Sequence, residues 1–139
     1  MKKIFFAIAV LLLGCQTSTS PEVVTYDIKD FFDNISISGG YFSSDEKKLI
    51  YSSNESGIYN VYEVSLSNKS VTKLSSSEQE SFFVRSYVPN STDFIYSADQ
   101  GGNEINHLYL QKREGTTIDL TPGEKEKSIF YKWSQDNAF

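Results

Sequence analysis

The chain has 139 residues, a formal net charge of −5, one cysteine and one histidine. That acidity is a poor match for a polyphosphate backbone, which takes clustered Lys and Arg, so nucleic acid is excluded as the expected partner. A lone cysteine rules out an intramolecular disulfide, and 39% hydrophobic content is enough for the core of one ordinary domain.

The first element in chain order reads as an export signal over residues 1–14. Lys2 and Lys3 form a positive start, Ile4 to Leu13 an uncharged apolar stretch, and Gly14 a small residue suited to cleavage. About ten apolar residues are half the ~20 that a membrane-crossing helix needs, so a permanent span is not expected. Leu12-Leu13-Gly14-Cys15 resembles the bacterial lipobox. The resemblance implies a diacylglycerol on the Cys15 sulfur, cleavage just before it and acylation of the new amine. Two or three acyl chains give a stable anchor where one binds only marginally. Residues 15–25, small and polar from Gln16 to Glu22, then read as a lipid-anchored flexible tether. Gln16 after the cysteine resembles lipoproteins of two-membrane bacteria that reach the outer membrane. The expected place is therefore the bacterial cell envelope, facing the periplasm, with the membrane as partner through Cys15.

Cleavage leaves 125 residues and moves the formal charge to −7, because Lys2 and Lys3 depart with the leader. Beyond the tether the composition predicts an all-β fold. Tyr, Phe, Val, Ile and Thr favour pleated, half-buried surfaces, and turn clusters divide them into short runs. Four strands are expected over Gly40–Ser43, Lys48–Ser53, Ile58–Leu66 and Val71–Leu74. In the third, alternation sets Ile58, Asn60, Tyr62, Val64 and Leu66 on one face and Tyr59, Val61, Glu63 and Ser65 on the other.

The pattern then starts again. Phe42, Tyr87 and Trp133 each open an aromatic-x-x-Asp/Asn motif, at spacings of 45 and 46 residues. Ile50-Tyr51-Ser52 returns 45 residues on as Ile95-Tyr96-Ser97, Asn60-Val61-Tyr62 returns 47 on as His107-Leu108-Tyr109, and Leu74 returns 46 on as Leu120. A period near 45 with four short strands per unit is the signature of β-propeller blades. The expected architecture is an incomplete β-propeller over residues 26–139, with blade 1 at about 39–75, blade 2 at about 82–121 and the start of blade 3 at about 128–139. Such a fragment leaves an apolar sheet face without its neighbour.

Phe42 to Tyr51, Gly57 to Leu66 and Val71 to Ser75 resemble the TolB-type propeller repeat, with Ser44 and Glu46 in place of the usual proline and glycine. Asp30-Phe31-Phe32, Asp99 to Tyr109 and Leu120-Thr121-Pro122-Gly123 resemble the propeller of exported serine peptidases of the prolyl oligopeptidase family. Asn103 and Ile105 depart from that family's second motif. The resemblance implies an α/β-hydrolase domain elsewhere in the parent protein, reached by peptides that the propeller filters. These residues hold no Gly-x-Ser-x-Gly elbow, and His107 is the sole histidine. No catalytic residue, cofactor or metal ligand is expected in this chain, and His107 reads as a satisfied strand residue. Asp99, Asn103 and Glu104 lack the spacing of a calcium loop and read as a solvated turn. Two functions follow: an N-terminal propeller piece of a membrane-anchored serine peptidase, structural and gating, or a small lipid-anchored TolB-like binding module. Reading the coding sequence past Phe139 separates them.

Cys15→Ala is expected to abolish incorporation of labelled lipid and to leave uncleaved or mislocalised protein; normal labelling of that variant overturns the lipobox reading.

Overall fold

A computed structural model describes residues 23–134, so the leader, Cys15 and the residues after Ser134 lie outside the described part. The chain divides into two compact units, Met1–Asp33 and Asn34–Phe139. Among the described residues of the first, a 3-10 turn, Ile28–Phe31, is held at its start by the Asp27 amide, which donates to the Asp30 carboxylate at 2.9 Å.

The second unit is all-β. Its strands are β1 (Ile37–Phe42), β2 (Lys48–Ser53), β3 (Asn60–Ser65), β4 (Val71–Lys73), β5 (Phe83–Tyr87), β6 (Phe94–Ala98), β7 (His107–Gln111) and β8 (Thr117–Asp119). They form two four-stranded antiparallel meanders, β1-β2-β3-β4 and β5-β6-β7-β8. In the first sheet β1, β3 and β4 each end one residue before the expected Ser43, Leu66 and Leu74, and two starts differ by more. β1 starts at Ile37, well before Gly40, and β3 starts at Asn60, not Ile58. The second shift has a cause: the Tyr59 carbonyl accepts the Phe82 amide at 2.9 Å, so it turns to the chain entering the next sheet.

The two sheets repeat each other in hydrogen bonding as well as in sequence. Each first strand carries one extra residue, between Ser38 and Tyr41 in β1 and between Val84 and Ser86 in β5. Such a bulge bends the strand and raises its twist. Tyr51 pairs with Tyr62 and Tyr96 with Tyr109 across the ladder, and both pairs stack, at ring separations of 5.8 and 5.2 Å. Leu74 and Leu120 close the two meanders by donating to the Val61 and Leu108 carbonyls at 2.7 and 2.8 Å. The adjoining hydroxyls of Ser75 and Thr121 accept the Val61 and Leu108 amides.

One core joins the sheets. Ile50 and Val61 on the inner face of the first sheet meet Val84, Tyr87, Phe94 and Tyr96 from the second, and all six are buried to 4% exposure or less. Within the contact, the Ser52 hydroxyl accepts the Val84 amide at 2.8 Å, a buried bond that sets the height of β5 on β2. Residues 128–134 form no strand among the described residues, yet they sit on the second sheet in a familiar way. Ser128 donates to the Asn106 carbonyl at 2.8 Å, as Phe82 does to Tyr59, and the Trp133 indole donates to the Ser86 hydroxyl and the Tyr87 carbonyl.

The bulge of β1 needs its first glycine. Gly39 has φ +71, and a Cβ there would meet the Val84 carbonyl at 3.4 Å and the Tyr41 ring at 3.3 Å. Gly40 has nothing within 4 Å of its added Cβ. Gly39→Ala is expected to cost about 1–2 kcal/mol through left-handed strain alone. Gly40→Ala should be neutral or stabilising by up to about 1 kcal/mol, through lost unfolded-state entropy. Denaturant unfolding of the two variants measures the contrast, and equal effects would contradict the account of the bulge.

Candidate functional site

Among the described residues, the densest grouping of ionisable side chains lies where the two sheets meet. Alternation along β3 turns Glu63 inward beside Val61, and only 4% of it reaches solvent. A buried carboxylate has to be paired. Lys48, opposite the end of β3 on β2, donates to its Oε1 at 2.9 Å. Tyr87, the last residue of β5, donates to Oε2 at 2.8 Å. Arg113, from the turn between β7 and β8, reaches both oxygens through its two terminal nitrogens at 3.1 and 3.2 Å.

That arginine is delivered by a second carboxylate. Asp93 accepts the Lys112 ammonium at 2.9 Å and the Arg113 amide at 3.0 Å, which ties the β7–β8 turn to the β5–β6 turn. Burial opposes charge on Glu63, but the donors from Lys48, Tyr87 and Arg113 outweigh it and hold its carboxyl below the usual range. Asp93 is shifted the same way, with burial offset by the Arg113 amide and the Lys112 ammonium. Burial first, then the Glu63 carboxylate, pushes the Tyr87 phenol far up, so it stays a donor.

A cavity of about 330 Å³ opens beside the cluster, between the Ser43–Asp45 and Asn90–Thr92 turns, with Lys48, Glu63 and Tyr87 in its wall. The turns are joined by the Asn90 amide, which donates to the Ser44 hydroxyl at 3.0 Å. Chemically the wall is quiet. Both Glu63 oxygens are already filled by donors, and the Ser43 hydroxyl is spent on Asp45 at 2.7 Å and faces a carboxylate, not a base of neutral pH. The arrangement clamps two sheets; it does not activate a nucleophile.

The residues weighed in the sequence fall elsewhere. Cys15 lies outside the described residues. His107, at the opposite end of β7 from Arg113, is 9% exposed, and its Nδ1 lies 2.8 Å from Asp119 Oδ2. Asp99, Asn103 and Glu104 form an exposed turn in which the Glu104 amide donates to Asp99. Among the described residues no group of three or more His, Cys, Asp or Glu is placed to hold a metal ion, and no helix is long and apolar enough to cross a membrane. Sequence reasoning set Glu63 on the Val61 face but passed over what that means. A charge facing the same way as a core valine demands a partner. A scan against protein-family models and a search of curated proteins found no match to the chain.

Glu63→Leu is expected to destabilise by about 3 kcal/mol, because it strands the Tyr87 hydroxyl and two cations. Adding Tyr87→Phe should recover part of that loss, since Lys48 and Arg113 are 40% and 36% exposed and can rehydrate. The pH dependence follows from the same pairing. With its folded value below the ordinary 4.5, Glu63 contributes stability in full above that value and loses it as pH falls through the lower folded one. Acid unfolding of Glu63→Gln should therefore show a flatter limb than the parent, and an unchanged limb would refute the assignment.

Proposed function

We propose that the chain is the N-terminal propeller piece of a lipid-anchored serine peptidase of the prolyl oligopeptidase family. Its part is structural and gating, and the catalytic machinery belongs to another domain of the parent. The observation that carries the propeller reading is that one sheet's seat on its neighbour recurs. Phe82 to Tyr59 and Ser128 to Asn106 are the same amide-to-carbonyl bond one repeat apart. Tyr87 and Trp133, also one repeat apart, each bond back to the preceding sheet, at Glu63 and at Ser86 and Tyr87. Sheets that stack by one repeated step around an axis make propeller blades, each covering one face of the next.

The site supports the proposed role as a filter. The inter-sheet cluster is built for rigidity, with every buried side-chain polar atom among the described residues bonded. A rigid wall is what a sieve for peptides takes, and a catalytic base needs a free lone pair that Glu63 does not have. The peptidase assignment itself rests on the resemblance of Asp30-Phe31-Phe32, Asp99 to Tyr109 and Leu120 to Gly123.

The test is the reading frame past Phe139. Further repeats of about 45 residues and a Gly-x-Ser-x-Gly elbow support the proposal; a stop codon in an intact genome selects the small binding module. The purified 139-residue chain is expected to turn over chromogenic dipeptide and acyl-peptide substrates at background. Turnover blocked by a serine-directed inhibitor would overturn the assignment of roles.

A further inference from the structure

The cluster between the sheets holds one more cation than carboxylates. Glu63 is met by both Lys48 and Arg113, whereas Asp93 takes Lys112 alone. Arg113 spends two donors on Glu63, so the charge left over is carried at Lys48. That ammonium gives Glu63 one bond at 2.9 Å, its side chain is 40% exposed, and it stands in the wall of the cavity of about 330 Å³. An ammonium has three donors, so two of them remain unspent.

Hydroxyls around the same cavity are in the same condition. The Ser44 hydroxyl accepts the Asn90 amide at 3.0 Å and the Ser91 hydroxyl accepts the Asp93 amide at 3.1 Å, but neither donates to any group among the described residues. Thr92, also in the wall, makes no side-chain bond among them. Acceptors, by contrast, are used up. Both Glu63 oxygens are filled, and the Asp45 carboxylate accepts the Ser43 hydroxyl and the Lys47 amide, with the Lys47 ammonium at 3.9 Å. Unspent donors and one surplus positive charge call for an acceptor with one negative charge. A carboxylate meets that demand, whereas a phosphate dianion overshoots it and meets Asp45 in the wall.

We infer that this cavity binds a carboxylate ligand of amino-acid size, ion-paired to Lys48 and hydrogen-bonded by the Ser44, Ser91 and Thr92 hydroxyls. Its volume lies at the small end of the ~300–1,000 Å³ of ligand pockets, enough for a carboxylate with the residue that bears it. Every group in the site comes from the seam of the two described sheets, so the inference stands independently of the peptidase reading.

Amide shifts in the full chain, followed by NMR at low salt, test it with four probes. They are an acetylated, amidated alanine tripeptide with a central glutamate, the same peptide with a central glutamine, acetylated trialanine as the free acid, and inorganic phosphate. The glutamate or the free-acid peptide is expected to move the Ser44, Asn90, Ser91 and Thr92 amides, and the tighter of the two shows whether the site takes a side chain or a C-terminus. Added salt should weaken the binding. Lys48→Gln leaves Glu63 its bonds from Arg113 and Tyr87 but removes the surplus charge, and is expected to weaken binding about tenfold. Thr92→Val, at an exposed position, leaves the fold intact and should weaken it several-fold. An equal response to the glutamine peptide, phosphate binding tighter than both carboxylates, undiminished binding by both variants, or four unmoved amides overturns the inference.

Discussion

A carboxylate held almost out of water between two sheets is the feature on which the rest of this structure depends. Glu63 is reached from β2, from β5 and from the β7–β8 turn, so three separate parts of the chain converge on two oxygen atoms. Its desolvation is expensive unless every donor is in place, and each donor is useful only if Glu63 is charged. The pairing therefore fixes how the sheets are set against each other more than it adds net stability. The apolar contact of Ile50 and Val61 with Val84, Phe94 and Tyr96 supplies the driving force, and it tolerates sliding in a way that a bidentate arginine does not.

The same junction explains the bulges. A flat first strand would meet its neighbour along a line, whereas an extra residue in β1 and in β5 bends each one and lets backbone approach backbone. Gly39 lies in the β1 bulge, and a Cβ on it would meet the Val84 carbonyl of β5 at 3.4 Å. Turn chemistry is less well matched. Glu46 occupies φ 55 in the first hairpin and Asn90 φ 56 in the second. Asn enters the left-handed region at lower cost than Glu, so the first turn carries more strain, which the Ser43, Asp45 and Lys47 hydrogen bonds offset.

Much of this was readable from the chain. Strand alternation placed Val61 and Glu63 on one face of β3, and the structure has them together in the inter-sheet contact. The 45-residue landmarks at Ile50-Tyr51-Ser52 and Ile95-Tyr96-Ser97 became β2 and β6, with equal partners on either side. The start of β1 was missed because Ser38 and Gly39 break the alternation that marks a strand, and a bulge is what breaks it. Arg113 was passed over for a different reason. It lies in an exposed turn 50 residues from Glu63, and no local pattern distinguishes it from Lys112 or Glu114.

Periodicity, turn residues and side-chain alternation are local properties. The sequence alone therefore determined the strand count of each meander, the repeat length and which residues face inward, because each depends on neighbours within a few positions. What the chain could not specify by itself was which cation meets which carboxylate, how far β5 rides up on β2, and that residues 128–134 take the same seat on the second sheet. Those depend on two sheets meeting at one height and one angle. That geometry exists only once bulges, core and the Glu63 cluster are all in place together.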